Sequence, residues 1–255
     1  IKSTGGDADF SQANVNSIVL GAGMGPSDDL TVKSGAVLVI AVDQSNDLDI
    51  IGKVAGSSVS IEVQDNATSN VDGDISGGFK LTNFTSATLT NKDANAQAYV
   101  GSILAPNTAL TIASGTQGFY ETFAIYLGTG SLSITGSGAV SLGNKVTAGS
   151  ILGSDALGAI TIELAGLDYV SNVTTGSGND SLTISSAILN NSASYTLATG
   201  SGADTLSLSI AQSFNWAAGL DYDTLKIVGT LDLNSNSITL SGVDEISLDS
   251  GALGS

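Results

Sequence analysis

The sequence predicts an all-β protein, a right-handed parallel β-helix or β-roll solenoid made of short strands. Two observations favour strands. Polar and apolar residues alternate in short segments from end to end, and Gly, Asn or Ser separates these segments. A third observation favours a solenoid, because a nine-residue phrase occurs at 175–183 (TGSGNDSLT) and again at 199–207 (TGSGADTLS). Short strands about ten residues apart, with a repeated phrase, are typical of coils that stack on one another.

The alternating segments predict the strands, each with one buried face and one wet face. No long stretch keeps a helical period. The best helical candidate, residues 209–220, is limited to a turn or two. In chain order the predicted strands are 29–32, 59–63, 109–112, 131–134, 159–164, 181–184, 205–210, 224–227, 237–240 and 245–248.

The repeats are clearest in the second half of the chain. A third, altered copy of the phrase lies at 218–225, and the phrase aspartates Asp180, Asp204 and Asp223 are spaced by about one coil. We therefore divide the chain into a β-rich N-terminal region, 1–150, and a solenoid region, 151–255. A β-sandwich-like arrangement is an alternative for the N-terminal region.

Composition excludes several classes of protein. The chain has 24 acidic and 7 basic residues, a formal charge of −17, and neither Cys nor His. This charge opposes binding to nucleic acid and to anionic membranes. Cys/His zinc sites and Ser-His-Asp catalysis are excluded. No apolar run has the length of a transmembrane segment. Since the chain begins at Ile1 with no visible signal peptide, we expect it to be part of a larger protein.

The repeated phrase predicts a cation site. Its glycines allow turns that point several carbonyl oxygens inward, and the aspartate that follows adds a full negative charge. Ca²⁺ takes six to eight oxygen ligands, more than one turn supplies, so two stacked turns would share the ion. Alternatively, the phrase is only a tight turn whose Asp bonds backbone amides. Two near-identical copies favour Ca²⁺. The candidate metal residues are Gly176, Gly178, Asp180, Gly200, Gly202, Asp204, Asp221, Asp223 and Asp28.

The phrases resemble the repeats-in-toxin (RTX) nonapeptide, in which Gly-Gly-x-Gly-x-Asp-x-apolar-x builds calcium-bound parallel β-rolls. Thr175 and Thr199 stand where that pattern has its first Gly, and Asp221 stands at a Gly position of the third copy. Together with the Ser/Thr/Ala/Asn-rich, Cys-free composition, the chain is similar to RTX-type S-layer proteins of Gram-negative bacteria. The resemblance implies a calcium-dependent lattice protein at the cell surface, exported by type I secretion.

Three functions follow as expectations. The first is a self-assembling extracellular surface-layer protein stabilised by Ca²⁺, with cell-surface polysaccharide as a further partner. The second is a module of a calcium-dependent RTX adhesin or biofilm matrix protein that binds glycans or surfaces. The third, an enzyme acting on polysaccharide, is disfavoured because the chain has no His or Arg and few Glu. We interpret the aromatic residues at 119–126 as a core or inter-sheet patch rather than a carbohydrate platform.

Overall fold

The computed structural model is an all-β solenoid with no helix in the part of the chain it describes. That part comprises residues 7–13, 15, 17–21, 23–25, 28–41, 43–64, 75–143, 145–164, 172–185, 195–232, 234 and 236–249. Its strands form two sheets, and within each sheet every pair of hydrogen-bonded strands is parallel. The predicted fold class is confirmed.

Within the described residues, the first sheet contains thirteen strands. Twelve follow one another in the order β1-β3-β5-β7-β9-β11-β13-β16-β18-β20-β22-β24, and β14 pairs with β11. They are β1 (Ala8–Asp9), β3 (Asp29–Val32), β5 (Leu48–Gly52), β7 (Phe79–Thr82), β9 (Ala98–Leu104), β11 (Phe119–Tyr126), β13 (Val140–Leu142), β14 (Val146–Thr147), β16 (Ile160–Leu164), β18 (Ser181–Ile184), β20 (Thr205–Leu208), β22 (Thr224–Ile227) and β24 (Glu245–Leu248).

The second sheet contains eleven strands, in the order β2-β4-β6-β8-β10-β12-β15-β17-β19-β21-β23. They are β2 (Ser17–Leu20), β4 (Ala36–Ile40), β6 (Ser57–Val63), β8 (Phe84–Asn91), β10 (Ala109–Ala113), β12 (Ser131–Gly136), β15 (Ser150–Ala156), β17 (Asn172–Thr174), β19 (Tyr195–Ala198), β21 (Phe214–Ala217) and β23 (Ile238–Ser241). Apart from β13 and β14, which are consecutive and both belong to the first sheet, the chain alternates between the sheets, so a coil adds one strand to each.

The core lies between the two sheets and follows from the alternation in the sequence. Leu182, Leu206 and Leu225 occupy one position in successive coils of the first sheet, and all three are buried. On the second sheet Leu197 pairs with Trp216, again in the interior. Identical apolar positions thus stack on each other along the whole solenoid. This arrangement lets short strands build one continuous core.

Both sheets continue across residue 150 without a change of architecture. In the first sheet Val140 pairs with Ile160, and in the second Ser131 pairs with Ser150. The described part of residues 1–150 therefore has the same stacked parallel strands as the rest, rather than a sandwich. The division at residue 150 stays a prediction about folding units.

The helical candidate at 209–220 is wrong. Its centre is β21, Phe214–Ala217, in which Phe214 and Trp216 are buried and pair with β19 and β23. The two bulky side chains alternate with Asn215 and Ala217, and this two-residue period fits a strand buried on one face. The apolar neighbours Ala211 and Ala218 obscure that period in the sequence.

No helix in the described residues has the length and apolar character of a membrane span.

Candidate functional site: a ladder of buried aspartates

The repeated phrase forms the turn that carries the chain from the second sheet to the first. Residues 175–180 connect β17 to β18, residues 199–204 connect β19 to β20, and residues 218–223 connect β21 to β22. The strands that follow are in register, with Ser181 opposite Thr205 and Thr205 opposite Thr224. The predicted combination of a turn with the start of a strand is therefore what the chain forms, once per coil.

Glycine is required in these turns because the backbones of successive coils touch. A Cβ on Gly200 would lie 2.1 Å from the carbonyl oxygen of Gly176, and one on Gly202 would lie 2.3 Å from that of Gly178. Gly200 and Gly202 also have positive φ angles, 89° and 117°. In the third turn Asp221 takes the same left-handed conformation, with φ 83°. It stands where the other copies have Gly.

The aspartates that end the turns form a ladder, which we call the aspartate ladder: Asp180, Asp204, Asp223 and Asp244. In each case one carboxylate oxygen accepts a hydrogen bond from the backbone N–H one coil earlier. Asp180 Oδ1 accepts from Ile160 N at 2.7 Å, Asp204 Oδ1 from Asp180 N at 2.7 Å and Asp223 Oδ1 from Asp204 N at 2.8 Å. Asp244 Oδ2 accepts from Asp223 N at 3.0 Å.

We call Asp180, Asp204 and Asp223 the inner rungs. Their second oxygen makes no hydrogen bond, because the nearby Thr175 and Thr199 hydroxyls donate to backbone carbonyls instead. Oδ2 of Asp180, Asp204 and Asp223 is buried and unpaired, and these side chains are 0–2% exposed. Adjacent coils of a sheet lie about 4.8 Å apart. The ladder thus stacks carboxylates at this spacing inside the protein. An unpaired buried oxygen lowers the stability of the fold, because it has lost its hydrogen bonds to water.

Burial raises the pKa of each inner aspartate. Burial raises the pKa of Asp204 to about 6. The Asp180 amide and the Thr199 hydroxyl lower this pKa. The carboxylates of Asp180 and Asp223 raise it further. Burial likewise raises the pKa of Asp180 against the opposing Thr175 hydroxyl, and raises that of Asp223 against the opposing Asp204 amide. Burial thus disfavours the charged form of each inner carboxylate, and a proton or a cation would compensate that charge.

The two threonines that replace the first Gly of the RTX pattern have a structural role of their own. Thr175 Oγ1 donates to the Thr199 carbonyl at 3.0 Å, and Thr199 Oγ1 donates to the Ala218 carbonyl at 2.7 Å. Trp216 Nε1 also donates to Thr199 Oγ1 at 3.3 Å. These side chains form a second ladder beside the aspartates. Each threonine that departs from the RTX pattern thus makes a hydrogen bond between neighbouring coils.

The donor atoms fit a hard cation such as Ca²⁺ in part. The inner rungs supply unpartnered carboxylate oxygens, which are suitable ligands. The remaining ligands would be turn carbonyls and water, since no three acidic side chains among the described residues gather around one point. Of the turn carbonyls, that of Gly176 accepts from Ser201 N and that of Gly200 from Leu220 N. The alternative interpretation of the phrase was a tight turn whose Asp bonds backbone amides. The structure has this feature as well, because each Asp accepts a hydrogen bond from a backbone amide.

The structure separates the remaining predicted metal residues from the ladder. Asp221 Oδ2 accepts from Gly202 N at 3.1 Å at the exposed edge of the turn. Asp28 lies seven strands away from β18 in the first sheet, before β3, and its Oδ2 accepts from Gly25 N at 2.7 Å. Asp28 therefore closes its own turn and does not join Asp180 and Asp204.

Sequence reasoning missed the last rung, Asp244. The signal was present, since Asp244 precedes Ile246 by two residues as Asp204 precedes Leu206. The turn before it is shorter, running only from Gly242 to Asp244, and it lacks the Gly-x-Gly spacing. The pattern of an aspartate two residues before an inward apolar residue would have found it.

A second buried carboxylate lies outside the ladder. Glu121 in β11 is fully buried, and its Oε1 accepts from Phe123 N at 2.5 Å while Oε2 has no partner. Burial raises the pKa of Glu121 to about 7, against the opposing amides of Phe123 and Gly143. A β-bulge occurs here, where residues 122 and 123 lie opposite Gly101 alone. The Glu121 carboxyl thus accepts a hydrogen bond from the Phe123 amide, which the bulge removes from the regular backbone hydrogen bonds of the sheet.

The aromatic residues at 119–126 do not form the predicted core or inter-sheet patch, and Tyr99 of β9 lies beside them. Phe119 is buried, but Tyr99, Tyr120, Phe123 and Tyr126 are exposed on the outer face of the first sheet. The interpretation of residues 119–126 as core is therefore correct only for Phe119. The alternation of β11 sends Tyr120 outward, and the bulge after Glu121 sends Phe123 outward as well.

Comparison with known protein families, curated proteins and solved structures finds no match to this chain.

Proposed function

We propose that this chain is a structural, self-assembling surface-layer protein whose stacked coils are stabilised by Ca²⁺. In this proposal it is secreted to the bacterial cell surface, as RTX-type S-layer proteins are. The solenoid supplies a stiff rod, the aspartate ladder supplies the cation sites, and association of rods supplies the layer.

The observation that carries the proposal is the apolar surface of the last described coil, β23 and β24, which we call the open end of the described solenoid. In β24, Ile246 is 58% exposed and Leu248 is 52% exposed, although the same positions in earlier coils are buried. Together with Ile238 and Leu240 of β23 they line an apolar hollow of about 500 Å³. At the other end, Ile18 and Leu20 of β2 are buried. The C-terminal coil therefore presents an apolar surface suited to a further coil.

The backbone at this end points to the same kind of partner. Among the described residues, β23 pairs only with β21, and β24 pairs only with β22. Each strand thus has one free edge of N–H and C=O groups, which another strand can complete. A second copy of this chain can supply both the strands and the apolar surface.

The aspartate ladder supports the dependence on Ca²⁺. Three unpaired buried carboxylate oxygens lie in successive coils, and the molecule carries a formal charge of −17. A divalent cation between rungs would neutralise this repulsion and would be bound only when the coils are stacked. Binding and folding would therefore be coupled.

The test is assembly with and without the cation. We expect sedimentation and electron microscopy to show ordered filaments or sheets in millimolar Ca²⁺, and smaller species after chelation. Mg²⁺ at the same concentration is the matched control, since it adds the same charge but prefers a smaller octahedral site. A monomer in Ca²⁺ at high protein concentration would contradict assembly, and equal behaviour in Ca²⁺, Mg²⁺ and chelator would contradict the calcium role.

The exposed aromatic side chains favour a second candidate function, a module of a calcium-dependent adhesin that binds glycans or surfaces. Exposed aromatic groups that lie together on a monomer mark binding sites. Here they lie on a face that is otherwise rich in Ser and Thr, such as Ser141, Thr161 and Ser181 in the next three coils.

We propose no catalytic role. The carboxyl with the most strongly perturbed pKa, Glu121, lies inside the solenoid with no exposed surface, so a substrate on the outside does not reach it. The inner aspartates of the ladder are enclosed in the same way.

A further inference from the structure

We propose that the outer surface of β9 and β11 is a binding site for a single chain of a neutral polysaccharide. The site consists of Tyr99, Leu104, Tyr120, Phe123 and Tyr126, which we call the aromatic face. The inference rests on the second candidate function, adhesion, and assigns to it a place on the molecule and a class of ligand.

The aromatic face is built by register. Tyr99 lies directly opposite Tyr120 in the next coil, with ring centroids 5.5 Å apart and planes tilted by 51°. Leu104 lies opposite Tyr126 in the same way. Phe123, the most exposed of the five at 62%, comes between the two pairs.

The bulge in β11 makes this row continuous. Without an extra residue, strict alternation after Tyr120 would turn the side chain at 123 toward the core. The extra residue brings Phe123 to the outside, and Glu121 Oε1 holds its amide at 2.5 Å. Glu121 is therefore a positioning residue for the aromatic face, and bulges of this kind re-aim side chains at binding sites.

The dimensions favour a single extended chain over a protein partner. From Tyr99 to Leu104 the row spans five residues, or roughly 16 Å at about 3.3 Å per residue. Its width is two coils, about 10 Å. This area is far below the roughly 800 Å² per partner of a stable protein–protein interface. A strip of this shape fits several sugar rings in line.

The chemistry of the strip favours sugar rings without charge. Tyrosine offers an apolar ring face, on which the C–H face of a sugar packs, and a hydroxyl for hydrogen bonding. Half-exposed polar groups lie alongside, including Gln97, Ser102 and Ser141. In β9, β11 and β13 the only acid is the buried Glu121, although the chain has 24 acids. The rest of this acidic molecule repels anionic polymers.

Affinity electrophoresis tests the proposal. The wild-type chain, kept in Ca²⁺ throughout, is run in native gels that contain hydroxyethylcellulose, galactomannan or dextran. Hyaluronate, which Ca²⁺ does not gel, is the anionic comparison. We expect retardation by at least one neutral polymer and none by hyaluronate. The double substitution Tyr120→Ala with Phe123→Ala should weaken binding by about tenfold or more, because it removes two stacking surfaces. The control Tyr222→Ala removes an exposed aromatic side chain outside the aromatic face and should leave retardation unchanged.

The outcomes separate this site from the adhesion function. Retardation of the wild type that the double substitution does not change would overturn the aromatic face as the site and leave adhesion standing. No retardation by any of the neutral polymers would overturn both. Stronger binding to hyaluronate than to the neutral polymers would overturn the neutral ligand. Loss of self-association in the double variant, with polysaccharide binding intact, would make the aromatic face a protein interface.

Folding of the variant is checked separately. Its circular dichroism spectrum and melting temperature should match the wild type, since both side chains are exposed. If they do not, Tyr99→Leu replaces the double variant, because leucine keeps apolar bulk but offers no ring to stack against. Binding by Tyr99→Leu equal to that of the wild type would then overturn the proposal.

Discussion

Unfavourable electrostatic interactions within the aspartate ladder are concentrated at Asp204. It has a carboxylate neighbour in the coil on each side, Asp180 and Asp223, and only one of its own oxygens is hydrogen-bonded. A neutral polar residue would satisfy the amide of Asp180 as well as Asp204 does. The charge is therefore a cost to the isolated fold unless something binds it.

The substitution Asp204→Asn separates the two roles of this side chain. Asn keeps the carbonyl oxygen that accepts from Asp180 N but removes the charge. In chelator we expect the variant to melt at or above the wild-type temperature, because a buried repulsion is gone. In millimolar Ca²⁺ we expect the wild type to gain stability and the variant to gain less. Calorimetric titration with Ca²⁺ and thermal melts measure both effects.

The control for that experiment is Asp232→Asn, an exposed acid that lies outside the ladder. It changes the net charge by the same amount and should leave the calcium response intact. An equal loss of calcium response in the two variants would show that Ca²⁺ acts on the net charge of the molecule and not at the aspartate ladder.

Glu121 predicts a pH dependence whose sign follows from its raised pKa of about 7. Between the ordinary value of 4.5 and 7, the folded state keeps a proton that the unfolded state releases. Stability therefore falls as the pH rises through this range and is level above it. Glu121→Gln removes this contribution. We expect the variant to melt higher than the wild type at pH 8 and close to it at pH 4.5.

The comparison of the two proteins at each pH isolates Glu121, because the ladder aspartates titrate equally in both. The melts are made at one Ca²⁺ concentration. A difference in melting temperature between wild type and Glu121→Gln that is the same at pH 4.5 and pH 8 would contradict the assignment.

At the scale of the element, the repeated unit is a turn and the strand that follows it. The turn positions the aspartate, and the strand anchors the turn through a buried leucine such as Leu206. The two parts depend on each other because the turn backbones of neighbouring coils are in contact.

Gly200→Ala tests that contact. The added Cβ would lie 2.1 Å from the Gly176 carbonyl oxygen, at a backbone φ of 89°. A left-handed conformation costs an alanine roughly 1–2 kcal/mol, and overpacking adds about 1–3 kcal/mol. We expect a loss of roughly 2–5 kcal/mol in the free energy of unfolding, measured by denaturant titration. Gly21→Ala is the matched control, since nothing lies within 4 Å of its Cβ. Equal effects of the two substitutions would contradict the close approach of the turns.

Ten of the described strands could be predicted, because polar and apolar residues alternate along them. The predicted segments 181–184 and 224–227 coincide with β18 and β22, and the predicted segment 205–210 contains β20, which ends at Leu208. The repeated phrase also predicted stacking, since equal turns separated by one coil place equal residues in register. The architecture was thus accessible from local pattern and period alone.

The rest depended on contacts between coils, which single segments do not show. The bonding of Thr199 to the Ala218 carbonyl and the amide bonds of the ladder join residues about 20 positions apart. The outward position of Phe123 depends on one extra residue opposite Gly101. A pattern in one strand does not report the length of its neighbour, so the prediction of a core or inter-sheet patch at 119–126 was wrong for Tyr120, Phe123 and Tyr126.

At the scale of the whole molecule, stacking has one consequence that no single coil shows. Every interior coil buries its apolar row between two neighbours, whereas within residues 7–249 as described the coil of β23 and β24 has a neighbour on one side only. The free energy of folding of such a solenoid includes a contribution from each interface between adjacent coils. One more coil at the open end therefore adds one more such contribution. A further coil at this end, from a second copy of the chain or from residues that follow in a longer protein, is therefore favoured by the same forces that fold the described coils.

Charged substitutions at the open end test whether assembly uses it. Ile246→Lys and Leu248→Lys place ammonium groups on the apolar surface, at positions that are already more than half exposed. We expect these variants to fold with nearly the wild-type melting temperature, because few folded contacts are lost. We expect them to remain monomeric in Ca²⁺ at concentrations at which the wild type assembles, since burying an unpaired ammonium against Leu240 is costly.

Leu157→Lys provides the control for this experiment, because Leu157 is exposed and lies on the connection after β15, away from β23 and β24. It makes the same change in charge and hydrophobicity, and assembly should be unaffected. Sedimentation velocity across a range of protein concentrations measures all three variants. If Ile246→Lys and Leu248→Lys assembled as the wild type does, association would have to use the side of the solenoid instead of its end. The rods would then pack in parallel rather than extend one another.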